Sequence, residues 1–230
     1  MTPQPGGSSS TANPGHGDLK RHPTGVRLLL ATRNGGKLAE LRRMLALSGI
    51  AGIEVLGLAD LPEFPEAPET AATFEENALA KARDAVAATG LPAVADDSGL
   101  TVDALNGMPG VLSARWAGRH GDDAANLRLV LDQVRDVPEH RRGAAFICAA
   151  ALVVPPGQEV QDLVVRAEWR GTLTTTPRGS NGFGYDPIFV PDGATRTSAE
   201  LDSAEKDTMS HRGHALRELL PALRKLASPT

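Results

Sequence analysis

The stretch V-R-L-L-L-A-T-R-N-G-G-K, Val26 to Lys37, decides the architecture. Val26 to Ala31 is a short β-like run, and it stops where Thr32, Asn34 and the pair Gly35-Gly36 bring in turn chemistry. Beyond it Leu38, Leu41 and Leu45 recur at spacings of three and four, which marks one buried helical stripe, and Gly49 ends the pattern. The unit is a strand, a glycine-containing loop and a helix.

Downstream, Glu54 to Leu58 reads as a second short strand, followed by a loop with Pro62, Pro65 and Pro68 that carries Glu63, Glu66 and Glu69. Thr73 and Glu76 form a capping box that starts a helix running to Gly90. Ala93 to Ala95 is a buried strand that meets Asp96-Asp97-Ser98-Gly99, so a site is expected at a strand's end. Asn126 to Val134 is helical in pattern. Ala144 to Val154 and Leu163 to Thr174 are strands joined by the turn Pro155-Pro156-Gly157, which predicts an antiparallel hairpin. From Ala199 to about Ala227 the pattern is helical again, with Leu216, Leu219, Leu220, Leu223 and Leu226 on one face. A strand-loop-helix opening and a later hairpin predict an α/β fold with a mixed central β-sheet flanked by helices.

At 230 residues the chain can form one large domain, or one with two lobes. Such a domain buries roughly 70 to 75% of its unfolded surface without staples. Residues 1–23 are rich in Gly, Pro, Ser and Thr and are expected to be a disordered tail, with His16 and His22 solvated in it. The single cysteine, Cys148, excludes an intramolecular disulfide and reads as core packing in a reducing compartment. A formal charge of -4 offers no global positive field for nucleic acid or an anionic membrane. No apolar run is long enough to span a bilayer and no signal peptide is evident, so the expected location is cytoplasmic.

Five segments carry chemistry. Backbone N–H groups at the helix start, in a loop thinned by Gly35 and Gly36 and joined by Lys37, make a phosphate cradle, or else a plain connecting turn. A Walker A frame is excluded, since it needs Gly at Ala31 and Ser or Thr at Leu38. Asp96 and Asp97, drawn toward the core, need a cation such as Mg²⁺ or strong donors, and an Asp there can take a proton from water; alternatively, one of them caps a turn. Asn77 and Lys81, four apart, share one helix face, turned either to an anion or to solvent. G-S-N-G-F-G-Y-D-P-I-F-V crowds aromatics into a chain that is 3% aromatic, as a stacking surface for a base or as a tight packed turn. Lys206 to Arg212 gathers cationic donors near a helix N-terminus, against the macrodipole, which suits an anionic or carbonyl-rich ligand or a solvated basic turn.

Together these segments resemble the inosine triphosphate pyrophosphatase family over roughly Val26 to Leu226. The family's T-x-N-x-x-K is Thr32 to Lys37, its T-F-x-E-N-A-x-x-K-A is Thr73 to Ala82, and its A-D-D-S-G-L is Ala95 to Leu100. P-G-x-x-S-A-R follows at Pro109 to Arg115, G-F-G-Y-D-P-I-F at Gly182 to Phe189, and K-x-x-x-S-H-R at Lys206 to Arg212.

The resemblance implies a single two-lobed domain over residues 24–230 with the active-site cleft between the lobes. It implies hydrolysis of ITP, dITP and XTP to monophosphate and pyrophosphate, with Mg²⁺ as cofactor and a homodimer as the assembly. By the same similarity Asp97 is the general base and a metal ligand, Glu69 a second metal ligand, and Thr32, Arg33, Asn34, Gly35, Gly36, Lys37 and Lys81 the triphosphate cradle. Ser98, Phe183, Gly184, Tyr185, Asp186, Lys206, His211 and Arg212 hold sugar and base. Two features depart from the family pattern: the N-terminal tail, and Arg33 where glycine is frequent, which either reaches a phosphate or faces solvent. An Asp-nucleophile phosphatase is disfavoured because its D-x-D is missing: Ser98 and Gly99 stand two positions after Asp96 and Asp97. A nucleotide-binding module without turnover is the non-enzymatic alternative.

Overall fold

In the computed structural model, which describes residues 25–64 and 68–228, six strands form one sheet. They are β1 (Val26–Leu30), β2 (Ile53–Gly57), β3 (Ala93–Val102), β4 (Gly143–Val153), β5 (Leu163–Leu173) and β6 (Phe189–Pro191), in the spatial order β2-β1-β3-β4-β5-β6. β1 pairs in parallel with β2 and β3, and the remaining pairs are antiparallel, so the mixed sheet and the hairpin are as expected. The expected tail, with His16 and His22, and Pro65 and Glu66 of the proline-rich loop lie outside the described residues.

The helices follow local signals. Asn34 caps α1 (Gly35–Leu47), and Thr73 caps α2 (Phe74–Thr89) by accepting from the Glu76 N–H at 3.2 Å. α3 (Asp123–Gln133) begins three residues before the apolar periodicity shows, because Asp122 supplies its cap, accepting from Ala125 at 3.1 Å. The single helix expected over Ala199 to Ala227 is two, α4 (Ser203–Met209) and α5 (His211–Ala227). The break is Ser210, extended at φ −73° and ψ 157°, which ends α4 and caps α5 through a 3.1 Å bond from the Gly213 N–H. Lys206 therefore lies in the last turn of α4, where the helix dipole favours it, and only His211 and Arg212 sit at a helix start.

β3 does not stop at Ala95. β4 pairs with it continuously from Ala93↔Val153 to Val102↔Ala144, whereas β1 pairs with it only at Leu29↔Ala93 and Leu30↔Val94. The polarity change at Asp96 thus marks the end of a neighbour and not of the strand itself. Side chains alternate along β3. Val94, with Cys148, Ala150 and Leu152 of β4, packs under α1 and α5, and further along the same face Leu100, Val102 and Phe146 join a second apolar cluster. On the other face Ala95 and the alanines of β4 meet Phe74, Ala78 and Ala82 of α2, where small side chains on both partners allow close approach. Cys148 is buried as expected, its thiol pushed up to about 12 by burial and the nearby Asp96 charge.

Gly99 locks the middle of β3 against the turn at Gly110–Arg115: a Cβ there meets the Gly110 carbonyl and Ser113 Oγ at 2.5 Å and the Phe74 ring at 2.9 Å. Gly99→Ala is expected to destabilise the chain by about 1–3 kcal/mol, as overpacking does, read as a lower urea midpoint at unchanged slope.

Candidate active site

Because successive residues of a strand face opposite sides, Asp96 and Asp97 leave β3 in opposite directions, just past the last rung with β1. Asp96 is buried beneath cations. Lys37 donates to both carboxylate oxygens at 2.8 and 3.0 Å, Arg212 Nε stands at 3.3 Å, and Ser98 Oγ donates at 3.1 Å. Burial opposes its charge, but Lys37 and Arg212 prevail and hold the carboxyl well below the usual carboxylate range. Asp97 has weaker support: Asn77 Nδ2 at 3.0 Å and Lys81 Nζ at 3.3 Å. Burial, with the Glu69 charge, outweighs Lys81 and raises its carboxyl from the ordinary value. One acid is locked as an anion and the other is kept basic.

Lys81 also forms an ion pair with Glu69, so Glu69 and Asp97 converge on one ammonium. Burial disfavours the Glu69 charge, yet hydrogen bonding and charge from Lys81, with Arg115 and His120, hold its carboxyl below the ordinary value. Arg115 donates to the Glu69 carbonyl at 2.9 Å. Thr32, Arg33, Asn34 and Lys37 face Glu69, Lys81, Asp84, Asp96 and His120 across a cleft of about 350 Å³. Arg33 lines it and lies 4.0 Å from Glu63. The expected cradle differs in two respects, the first being that Gly35 and Gly36 are not among the residues lining the cleft. The N–H groups of Gly36 and Lys37 already donate to Asn34 Oδ1, at 2.8 and 3.4 Å, so a phosphate must displace the Asn34 side chain to reach them.

A second cavity lies on the Ser98 side. Ser98, Phe183, Gly184, Tyr185, Asp186, Lys206, His211 and Arg212 line it together, as the sequence predicts. Phe183 is 52% exposed, with Lys206 and Arg212 5.7 and 5.8 Å from its ring. Asp186 is buried and holds this loop: it accepts from the Phe183 N–H at 2.8 Å and Ser198 Oγ at 2.7 Å, and it pairs with Lys206. Tyr185 turns its hydroxyl inward to the Ser113 carbonyl at 2.8 Å, a structural role. His211 stacks on Phe146 at 5.0 Å, and its buried Nδ1 has no hydrogen-bond partner among the described residues. Burial first, then the charges of Arg212 and Lys206, push its pKa well down, so the ring is neutral.

Three participants escape sequence reasoning. Asp123 accepts from the Gly184 N–H at 2.9 Å and so ties α3 to the aromatic loop. Ser113 joins its turn to β3, accepting from Leu100 at 2.9 Å. Glu40 is buried on α1 near Arg212, with its carboxyl raised by burial. Ser113 is the serine of the quoted P-G-x-x-S-A-R motif, where no role is expected of it, and Asp123 and Glu40 have no signal of their own in the sequence.

The donor set fits a hard divalent cation that keeps water and substrate oxygens. Glu69 and Asp97 supply carboxylates around one point now served by an ammonium. No group of three or more His, Cys, Asp or Glu among the described residues forms a closed metal cage.

The chain is also similar to known proteins. The sequence profile of the Ham1 family matches residues 28–222. The dITP/XTP pyrophosphatase of Nocardia farcinica is 66% identical over 207 residues, 90% of this chain and 99% of that one. A crystal structure described as nucleoside-triphosphatase / dITP/XTP pyrophosphatase from Mycobacterium abscessus superposes with a TM-score of 0.70 at 59% identity, covering 85% of this chain and all of that one. A HAM1 protein from Coxiella burnetii gives a TM-score of 0.77 at 42% identity over 86% of this chain and 98% of its own. With its profile, its close relatives and its sheet in agreement, the chain belongs to the Ham1 family.

Proposed function

We infer that the chain is a nucleoside triphosphate pyrophosphatase that hydrolyses ITP, dITP and XTP to the monophosphate and pyrophosphate, clearing them before they enter DNA or RNA. The observation that carries this reading is the buried Asp97 carboxylate, which shares the Lys81 ammonium with Glu69 at the wall of the cation-lined cleft, while the neighbouring Ser98 lines the pocket of Phe183, His211 and Arg212. The nucleoside occupies the pocket and the phosphates run past Ser98 into the cleft.

Glu69 and Asp97 would hold Mg²⁺, which when bound neutralises polyphosphate charge and favours deprotonation of water. Asp97 orients the attacking water and takes its proton. A new P–O bond forms at the α-phosphorus, and the bond to the bridging oxygen breaks and releases pyrophosphate. Asn77, which donates to Asp97 and accepts from the Ala71 N–H at 3.0 Å, fixes the base's direction. Lys81 stays near both carboxylates and adds positive charge for the phosphates. Thr32, Arg33, Asn34, Gly35, Gly36 and Lys37 close the other wall.

Base selection follows from the polar atoms of the pocket. A 6-oxo purine accepts from Arg212 and its neighbours, with the unpartnered His211 Nδ1 beside them, while adenine presents an amino donor there and leaves donors unpaired. Phe183 stacks on the base, and Ser98, Gly184, Tyr185, Asp186 and Lys206 shape its surroundings. Residues 24–230 act as a single two-lobed unit in the cytoplasm, as a homodimer; none of the described helices is long and apolar enough to cross a membrane.

With Mg²⁺, the chain is expected to convert ITP, dITP and XTP, but not ATP, into monophosphate and pyrophosphate on anion-exchange analysis; diphosphate and orthophosphate would contradict the reading. Asp97→Asn is expected to cut kcat by about 10²- to 10⁴-fold while calorimetry shows nucleotide affinity largely kept. The raised carboxyl favours the native state only while protonated, and that contribution is lost as pH rises through its folded pKa. Asp97→Asn should therefore melt no lower than the parent at pH 7. Asp96→Asn leaves Lys37 and buried Arg212 without their anion and is expected to cost about 3–5 kcal/mol. The depressed carboxyl stabilises at neutral pH, and the effect fades as acid protonates it. Equal melting of the Asp96 and Asp97 variants at pH 7 would contradict this division.

A further inference from the structure

Expelling pyrophosphate requires positive charge at the end of the cleft remote from the nucleoside, and the cations there are largely committed. Lys37 is held by Asp96, Lys81 by Glu69 and Asp97, and Arg115 by Glu69. His120 lines the same cleft, is exposed, and makes no hydrogen bond or ion pair among the described residues. It lines the phosphate cleft and not the nucleoside pocket.

Its loop is held in place from below. Asn126 is buried beneath it, accepting from the Ala117 N–H at 2.7 Å and donating to the Ala114 carbonyl at 3.2 Å. Gly118 and Gly121, at φ 93° and 77°, bracket Arg119 and His120, and the Gly121 N–H returns to the Ala114 carbonyl at 2.8 Å. These left-handed turns suit glycine and bring the chain back on itself, so His120 sits at the tip of a closed loop. Arg115 at the loop's base grips the Glu69 backbone at 2.9 Å, which couples the loop to the wall carrying the candidate metal ligand.

We propose that His120 binds the terminal phosphates of the substrate, the pair that departs as pyrophosphate, and favours a triphosphate over shorter phosphate chains. An imidazole N–H donates to a phosphate oxygen, and no covalent step at His120 is required. The proposal rests on the pyrophosphatase reading and adds a contact that the family motifs leave unassigned.

The test uses the full chain with Mg²⁺, with His120→Ala and His120→Arg, and inorganic pyrophosphate and IMP as separate product inhibitors of ITP hydrolysis. His120→Ala is expected to weaken inhibition by pyrophosphate about tenfold, the scale of one charge-assisted hydrogen bond. It should leave inhibition by IMP unchanged and raise KM for ITP more than it lowers kcat, and His120→Arg should restore pyrophosphate binding. Unchanged pyrophosphate inhibition would overturn the proposal, and so would equal weakening toward both products, which marks a collapsed loop. Calorimetric titration of inorganic pyrophosphate into the parent and His120→Ala makes the same comparison without turnover. A chain that releases no pyrophosphate from any triphosphate would thus count against the enzymatic reading alone.

Discussion

The parallel pairing of β1 with β3 ends at Leu30↔Val94, while β4 continues to pair along all of β3. This unequal support leaves Asp96 and Asp97 on a strand that is still rigid yet has lost its neighbour on one side. The gap opens at the carboxyl end of β1, where the Thr32 to Lys37 loop turns into α1. Ligand crevices at the carboxyl ends of parallel strands are a general property of open α/β sheets. Strand alternation then sends one acid toward α1 and α5 and the other toward α2. Two adjacent residues of one type acquire opposite electrostatic fates from that geometry alone.

Those fates depend on how many cations each face provides. Asp96 receives Lys37 and Arg212 together, which is enough to overcome full burial. Asp97 shares Lys81 with Glu69 and is left with a raised proton affinity. The arrangement pairs Lys37, Lys81 and Arg115 of this region with carboxylates. A polyphosphate entering it needs added positive charge, which is the physical reason for a divalent cation beside Glu69 and Asp97.

Much of this was legible in the sequence because its signals are local. The cap at Thr73, the apolar stripe from Leu38 to Leu45 and the turn at Pro155-Pro156-Gly157 depend on near neighbours, and each lies at the expected element, although of the expected capping box only the bond from the Glu76 N–H to Thr73 forms. The length of β3 was not legible, because its continuation past Ala95 is set by a partner strand some fifty residues away. The break at Ser210 was hidden for a related reason: the leucine stripe of α5 continues the helical pattern, and only the cap geometry shows where one helix stops and the next begins. At the site, six motifs named side chains that line the cleft and the pocket, but their pairing was invisible. Whether Asp96 or Asp97 stays ionised depends on which face receives Lys37, and the roles of Asp123 and Ser113 arise from contacts across the fold.

The central chemical claim is that Asp97 directs water at the α-phosphorus. Hydrolysis of ITP in ¹⁸O-water under single-turnover conditions, followed by mass spectrometry of both products, tests it most directly. Attack at the α-phosphorus puts the label in the nucleoside monophosphate and leaves the pyrophosphate unlabelled. Label in pyrophosphate would place the attack on the β-phosphorus and contradict the orientation assigned to Asp97.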